Sequence, residues 1–145
     1  MYNQNMNYLA YGVLAAVGFG FYNFFVGKSG GKISPFLATV LLSTAAATIA
    51  GLIVLVQKLL GIKIEITSPG IKFAVLAGLA AGVAEIFYFF AFTKNANVSV
   101  VLPIVFTITV VTGVLLGTFL NHEPITLFKI IGIVLALAAL FLLSK

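Results

Sequence analysis

The sequence predicts an all-α, polytopic membrane protein with five transmembrane helices, and three observations predict it. Of 145 residues, 62% are hydrophobic and only 8% are charged, whereas soluble domains carry about a quarter charged residues. Apolar stretches at roughly 8–26, 34–57, 71–92, 98–120 and 125–143 each approach or exceed the length needed to cross a hydrocarbon core about 30 Å thick at about 1.5 Å rise per residue. The connections between them are too short for another folded unit, so residues 1–145 read as one transmembrane domain.

Charge and composition exclude other classes. The net charge of +5 comes from eight lysines set against Glu65, Glu85 and Glu123. In so apolar a chain the lysines read as interfacial anchors, their stems buried and their ammonium groups near the headgroups. Nucleic-acid binding would need a basic face or a recognition pattern, and the sequence has neither. Cysteine is absent, which removes disulfide and thiolate chemistry. The start, M-Y-N-Q-N-M-N, has no basic residue before its apolar run and no small-x-small cleavage site, so the first span is expected to be retained.

The first span carries Gly12, Gly18 and Gly20, then an aromatic end around Tyr22 and Asn23. The glycines admit a neighbouring helix, and Asn23 needs a partner or water if it lies in hydrocarbon. Tyr22 and Asn23 are therefore either part of a packing seam or on a substrate path. Lys28-Ser29-Gly30-Gly31-Lys32 closes the span. Ser34-Pro35 opens the second by the logic of a capping serine followed by a proline that needs no amide partner. Its Thr44 and Thr48 share a face, with backbone carbonyls of their own helix as the commonest partners for such hydroxyls. The I-K-I-E-I of residues 62–66 alternates like a strand and is expected to lie along the interface. Thr67-Ser68-Pro69 restarts a helix.

The third span, from Gly70 to Phe92, organises the chain, because between Lys72 and Thr93 it is apolar or small except for Glu85 and Tyr88. An isolated ionised carboxylate in hydrocarbon is too costly to persist, so Glu85 must be protonated, paired or open to a hydrated cavity. Gly78-x-x-x-Gly82 one turn earlier leaves room beside it, and Tyr88, Phe89 and Phe92 share its face. An aromatic wall beside a carboxylate suits an apolar or cationic solute; an interfacial aromatic belt accounts for the same cluster. In the fourth span Asn97 can cap, Pro103 frees one carbonyl, and Ser99, Pro103 and Thr107 fall on one side where a hydrated surface could form. Gly113 and Gly117 belong to its packing face. Asn121-His122-Glu123-Pro124 turns into the last span, capped by Thr126, with Lys129 near its start, Gly132 on a packing face and Lys145 at its end. His122 and Glu123 are too few ligands for a metal, and neither a metal nor another cofactor is expected.

Five spans put Lys28, Lys32, Lys94 and Lys145 on one side and Lys58, Lys63, Lys72 and Lys129 on the other. Lysine asymmetry normally fixes orientation, and a tie of four against four gives no instruction. Two copies inserted in opposite directions would supply the two halves between which small transporters bind their substrates, so the expected assembly is an antiparallel homodimer of dual topology. The contrasting expectation is a single orientation set by local context.

The stretch from Phe87 to Leu143 reads Y-F-F-A-F-T-K-N-A-N-V-S-V-V-L-P, then L-G-T-F-L-N-H-E-P-I-T, then F-K-I-I-G-I-V-L-A-L-A-A-L-F-L-L. An aromatic helix end, a lysine before a short link, an early proline in the fourth helix and a glutamate turn in this order resemble one EamA domain of the drug/metabolite transporter superfamily. N-F-F-V-G-K at Asn23 to Lys28 and I-S-P-F at Ile33 to Phe36 extend the likeness. Departures are Leu41 and Leu42 where an arginine is common, Val110 at a second proline position, and His122 in place of the glycine before Glu123. The C-terminal half is also similar to the small multidrug resistance proteins, whose membrane carboxylate is on a first helix that here has none.

The resemblance implies a secondary transporter or exporter of a small organic solute or metabolite, working by alternating access in a prokaryotic cell membrane; an enzyme is not expected, because the sequence shows no nucleophile–base pair and no acidic metal cluster. Glu85 is not a signature of that family, so its part rests on membrane energetics alone: it would exchange a proton or substrate charge, while Tyr88, Phe89 and Tyr22 contact the solute with Asn23 and Thr107 along its path, and Gly78, Gly82 and Pro103 let the helices repack. The alternative is a non-transporting scaffold, or a partner subunit of a heteromeric membrane complex.

Overall fold

The structure, a computed structural model, describes residues 2–94 and 96–143, with side chains from Tyr8 onward. Five helices follow one another: α1 (Tyr2–Ser29), α2 (Pro35–Leu59), α3 (Ser68–Thr93), α4 (Val98–Leu120) and α5 (Leu127–Leu143). Four contain apolar segments long enough to cross a membrane, Tyr8–Ser29, Pro35–Leu59, Ser68–Thr93 and Val98–Leu120. The fifth, at 17 residues, extends about 25 Å and stands at the lower limit for a crossing. The expected anchor Lys145 lies outside the described residues.

Local chemistry sets the helix ends. Thr67 accepts a hydrogen bond from the Gly70 amide (3.2 Å) and Thr126 one from the Lys129 amide (3.3 Å), so both threonines cap as their positions suggest. Ser34 and Asn97 occupy the same position before α2 and α4, yet neither side chain makes a capping bond; for α2, Pro35 at the first turn replaces a donor that a cap would have served. At the end of α2, Gly61 adopts φ +70°. The Ile62 amide then reaches the Gln57 carbonyl and the Gly61 amide the Lys58 carbonyl, which closes the helix in a Schellman turn. Residues 62–67 leave it in irregular conformation, without strand pairing.

The chain divides into two compact units, residues 26–95 and residues 1–25 with 96–145. In the first, α2 packs against α3. Its buried residues Val26, Ala38, Thr39, Phe89 and Phe92 lie near the end of α1, the start of α2 and the end of α3. Phe36 and Phe90 meet edge to face at 5.7 Å, and Gly30 lies so close to Phe92 that a β-carbon there would collide with it. In the second unit α4 packs against α5, with Val101, Thr107 and Gly117 buried on α4. Most large apolar side chains in both are more than half exposed, the arrangement lipid permits because hydrocarbon solvates leucine as well as another helix does.

Candidate functional site

Glu85 stands 8 residues before the last residue of α3, about 12 Å along the helix axis from that end. This depth keeps its carboxylate within the span, and the residue is half-buried. Tyr88, also half-buried, is within electrostatic reach of Glu85 and meets the Phe92 ring edge to face at 5.2 Å. Phe89 and Phe92 on the same side are only 5% and 3% exposed. Their rings are part of the packing of the unit, so a solute would reach Phe89 only if helices part. Gly78 and Gly82 face open space, since a β-carbon at either would meet nothing within 4 Å.

Two depressions of the second unit lie between helices. One, of about 370 Å³, lies between α1 and α4 and is lined by Gly12, Ala15, Ala16, Phe19, Gly20 and Asn23 with Leu102 and Phe106. Its α1 wall follows helical spacing and is recessed because most of those positions are glycine or alanine. Asn23 closes it at 2% exposure, its Nδ2 donating to the Phe19 carbonyl one turn earlier at 2.6 Å. Tyr22, half-buried, packs edge to face on Phe19 with centroids 6.1 Å apart. Sequence reading singled out Asn23 but missed Ala15 and Ala16 as a wall and Leu102 and Phe106 as its facing side; the stripe of small residues at 12, 15, 16 and 20 was the available signal.

The other depression, about 300 Å³, runs between α4 and α5 and is apolar but for Thr107; Pro103, Phe106, Val110 and Ala136 are among its walls. Thr107, 8% exposed, directs its hydroxyl at the Ala136 carbonyl of α5 at 3.5 Å, the long limit of a hydrogen bond. The hydrated surface expected around Ser99, Pro103 and Thr107 is thus an interhelical seam at Thr107, and α4 runs through Pro103 without interruption. Gly113 and Gly132 meet nothing within 4 Å. Gly117 differs: the Glu123 carboxylate lies 3.1 Å from where its β-carbon would be, and Oε2 of Glu123 accepts from Lys129 Nζ at 3.0 Å. The left-handed conformation of His122 (φ 55°) folds Glu123 back over the end of α4, and explains in steric terms why a glycine suits that position.

The residues named from sequence therefore form two groups. Glu85, Tyr88, Phe89, Gly78 and Gly82 belong to the unit of residues 26–95, and Tyr22, Asn23, Pro103, Thr107, Gly113, Gly117 and Gly132 to the other. Of these, Asn23 lines the depression between α1 and α4, and Pro103 and Thr107 the one between α4 and α5, each an apolar recess with one polar side chain, the composition of a small-molecule site. Among the described residues no group of three or more histidines, cysteines or carboxylates could hold a metal ion. No match was found among curated proteins or among solved structures. A family profile covers residues 6–145, nearly the whole chain and all five helices, so by this match the protein belongs to the EamA-like transporter family, a family of membrane transporters of small solutes rather than enzymes.

Proposed function

We propose that the 145 residues form one EamA-like domain that moves a small organic solute across a prokaryotic cell membrane by alternating access, as a homodimer of oppositely inserted copies. The observation that carries this reading is a carboxylate, Glu85, held about 12 Å inside an apolar span with Tyr88 beside it. Such a group is retained in hydrocarbon where it exchanges a proton or a substrate charge. Within its own unit the α1–α4 cleft, ending at Asn23 with Tyr22 beside it, is a solute path; in the other, Glu85 with Tyr88 and Phe89 is the coupling group. The preferred solutes are apolar or cationic, matched to an aromatic wall beside a negative charge.

The test uses proteoliposomes and a panel of quaternary ammonium and uncharged aromatic solutes. Wild type should move protons when a transported solute is added, and Glu85→Gln should abolish that coupling. Coupled transport that survives the substitution unchanged would discard the carboxylate mechanism while leaving membership of the transporter family intact.

A further inference from the structure

A second site emerges where α1 ends, α2 begins and α3 ends. The close contact of Gly30 with Phe92 and the edge-to-face pair of Phe36 and Phe90 draw these three helix ends together. Lys28, Lys32 and Lys94 are all exposed. Each stands two residues from the Gly30–Phe92 contact, no more than about 8 Å of chain. The backbones of three exposed lysines are thus held within two residues of one fixed contact.

The acids of this unit stand away from the corner. They are Glu65, in the connection at the opposite ends of α2 and α3, and Glu85, nine residues before Lys94 and about 14 Å back along α3. The remaining lysines of the described chain are differently placed. Lys58, Lys63 and Lys72 lie at the far ends of α2 and α3, around Glu65 in sequence, and Lys129 belongs to the other unit. The start of α2 adds to the positive potential, with no acidic residue in its first turn and no capping bond from Ser34. Beside the cations lies an apolar surface, Phe36 at 59% and Phe90 at 42% exposure.

We propose that this corner binds the phosphate of an anionic phospholipid, the three lysines holding the headgroup and the Phe36–Phe90 pair the upper acyl chain. Lysines at the ends of membrane spans stand at headgroup level. An exposed aromatic pair directly beside them favours a lipid over a soluble phosphate, which offers nothing to bury. The inference is independent of any role for Glu85.

The experiment places the full chain in nanodiscs of zwitterionic lipid and titrates fluorescent phosphatidylglycerol. Near a membrane surface each lysine contributes roughly a fivefold factor, so K28Q/K32Q/K94Q should weaken binding by well over tenfold, about a hundredfold if the three are additive. K58Q/K63Q/K72Q, which removes the same charge elsewhere, should change it by less than about threefold, and K28R/K32R/K94R should bind as wild type. Unlabelled phosphatidylglycerol should compete and glycerol phosphate should not. Equal losses in the two glutamine triples would overturn the site in favour of general attraction, and displacement by glycerol phosphate as effective as by lipid would overturn the choice of ligand. If the triple fails to fold by circular dichroism, the single substitutions replace it, and singles that all bind as wild type would also overturn it.

Discussion

Gly30 lacks a side chain because Phe92 occupies the place where one would go. Its neighbours there are the backbone carbonyl and the first side-chain carbon of Phe92, which cannot swing aside as the tip of a long side chain can. Gly30→Ala should therefore cost about 1–3 kcal/mol, the range for overpacking a filled site, and lower the thermal midpoint of the purified protein. Gly78 is the useful contrast, since it faces nothing within 4 Å. Within one protomer Gly78→Ala should be neutral or stabilising by up to about 1 kcal/mol through helix propensity. His122 poses the reverse problem, a bulky side chain at φ 55°. His122→Gly should raise stability by roughly 0.5–1 kcal/mol, the left-handed cost removed less the added chain entropy, and a lowered midpoint would show that the ring makes a contact worth more than its strain.

Among the elements, α4 and α5 are joined by the most varied contacts: the Thr107 hydroxyl at the Ala136 carbonyl, the apolar seam around Pro103 and Ala136, and the Glu123–Lys129 ion pair at the turn. That pair is partly exposed, so Glu123→Gln should cost no more than about 1 kcal/mol, with a smaller effect at high salt, measured by unfolding in two ionic strengths. The sequence made the helices themselves legible, because each is an apolar run of spanning length between turn residues. Caps were legible at Thr67 and Thr126 but not at Ser34 or Asn97, because a capping residue type fixes the position and not the rotamer. The Glu123–Lys129 pair was invisible, since its partners are six residues apart across a turn whose geometry depends on the backbone of His122.

At the scale of the molecule, one chain leaves Gly12, Gly51, Gly78, Gly113 and Gly132 with no atom within 4 Å of the place a β-carbon would take, although glycine in membrane helices commonly serves close approach. If an oppositely inserted copy covers the face of α3, Gly78→Leu with Gly82→Leu should abolish cross-linked dimer while leaving the monomer folded; undiminished cross-linking would place the interface on another helix. A reporter at the C-terminus should appear on both membrane faces, and one-sided labelling would remove dual topology. Glu85 was readable from sequence because a single acid in an apolar run is unmistakable. The cleft beside Asn23 was readable only on its α1 side, because periodicity shows which residues share a face and not which helix comes opposite.

The hydroxyls of Thr39, Thr44, Thr48 and Thr109 and the side-chain amide of Asn23 donate to carbonyls four residues earlier in their own helices. A rod that slides or rolls carries such bonds with it. Motion between rods then strips none of these groups of its partner in hydrocarbon, where an orphaned one costs several kcal/mol, and friction against transport is left to side-chain shape. Between α4 and α5, where Thr107 reaches across, the same reasoning makes the two helices travel together.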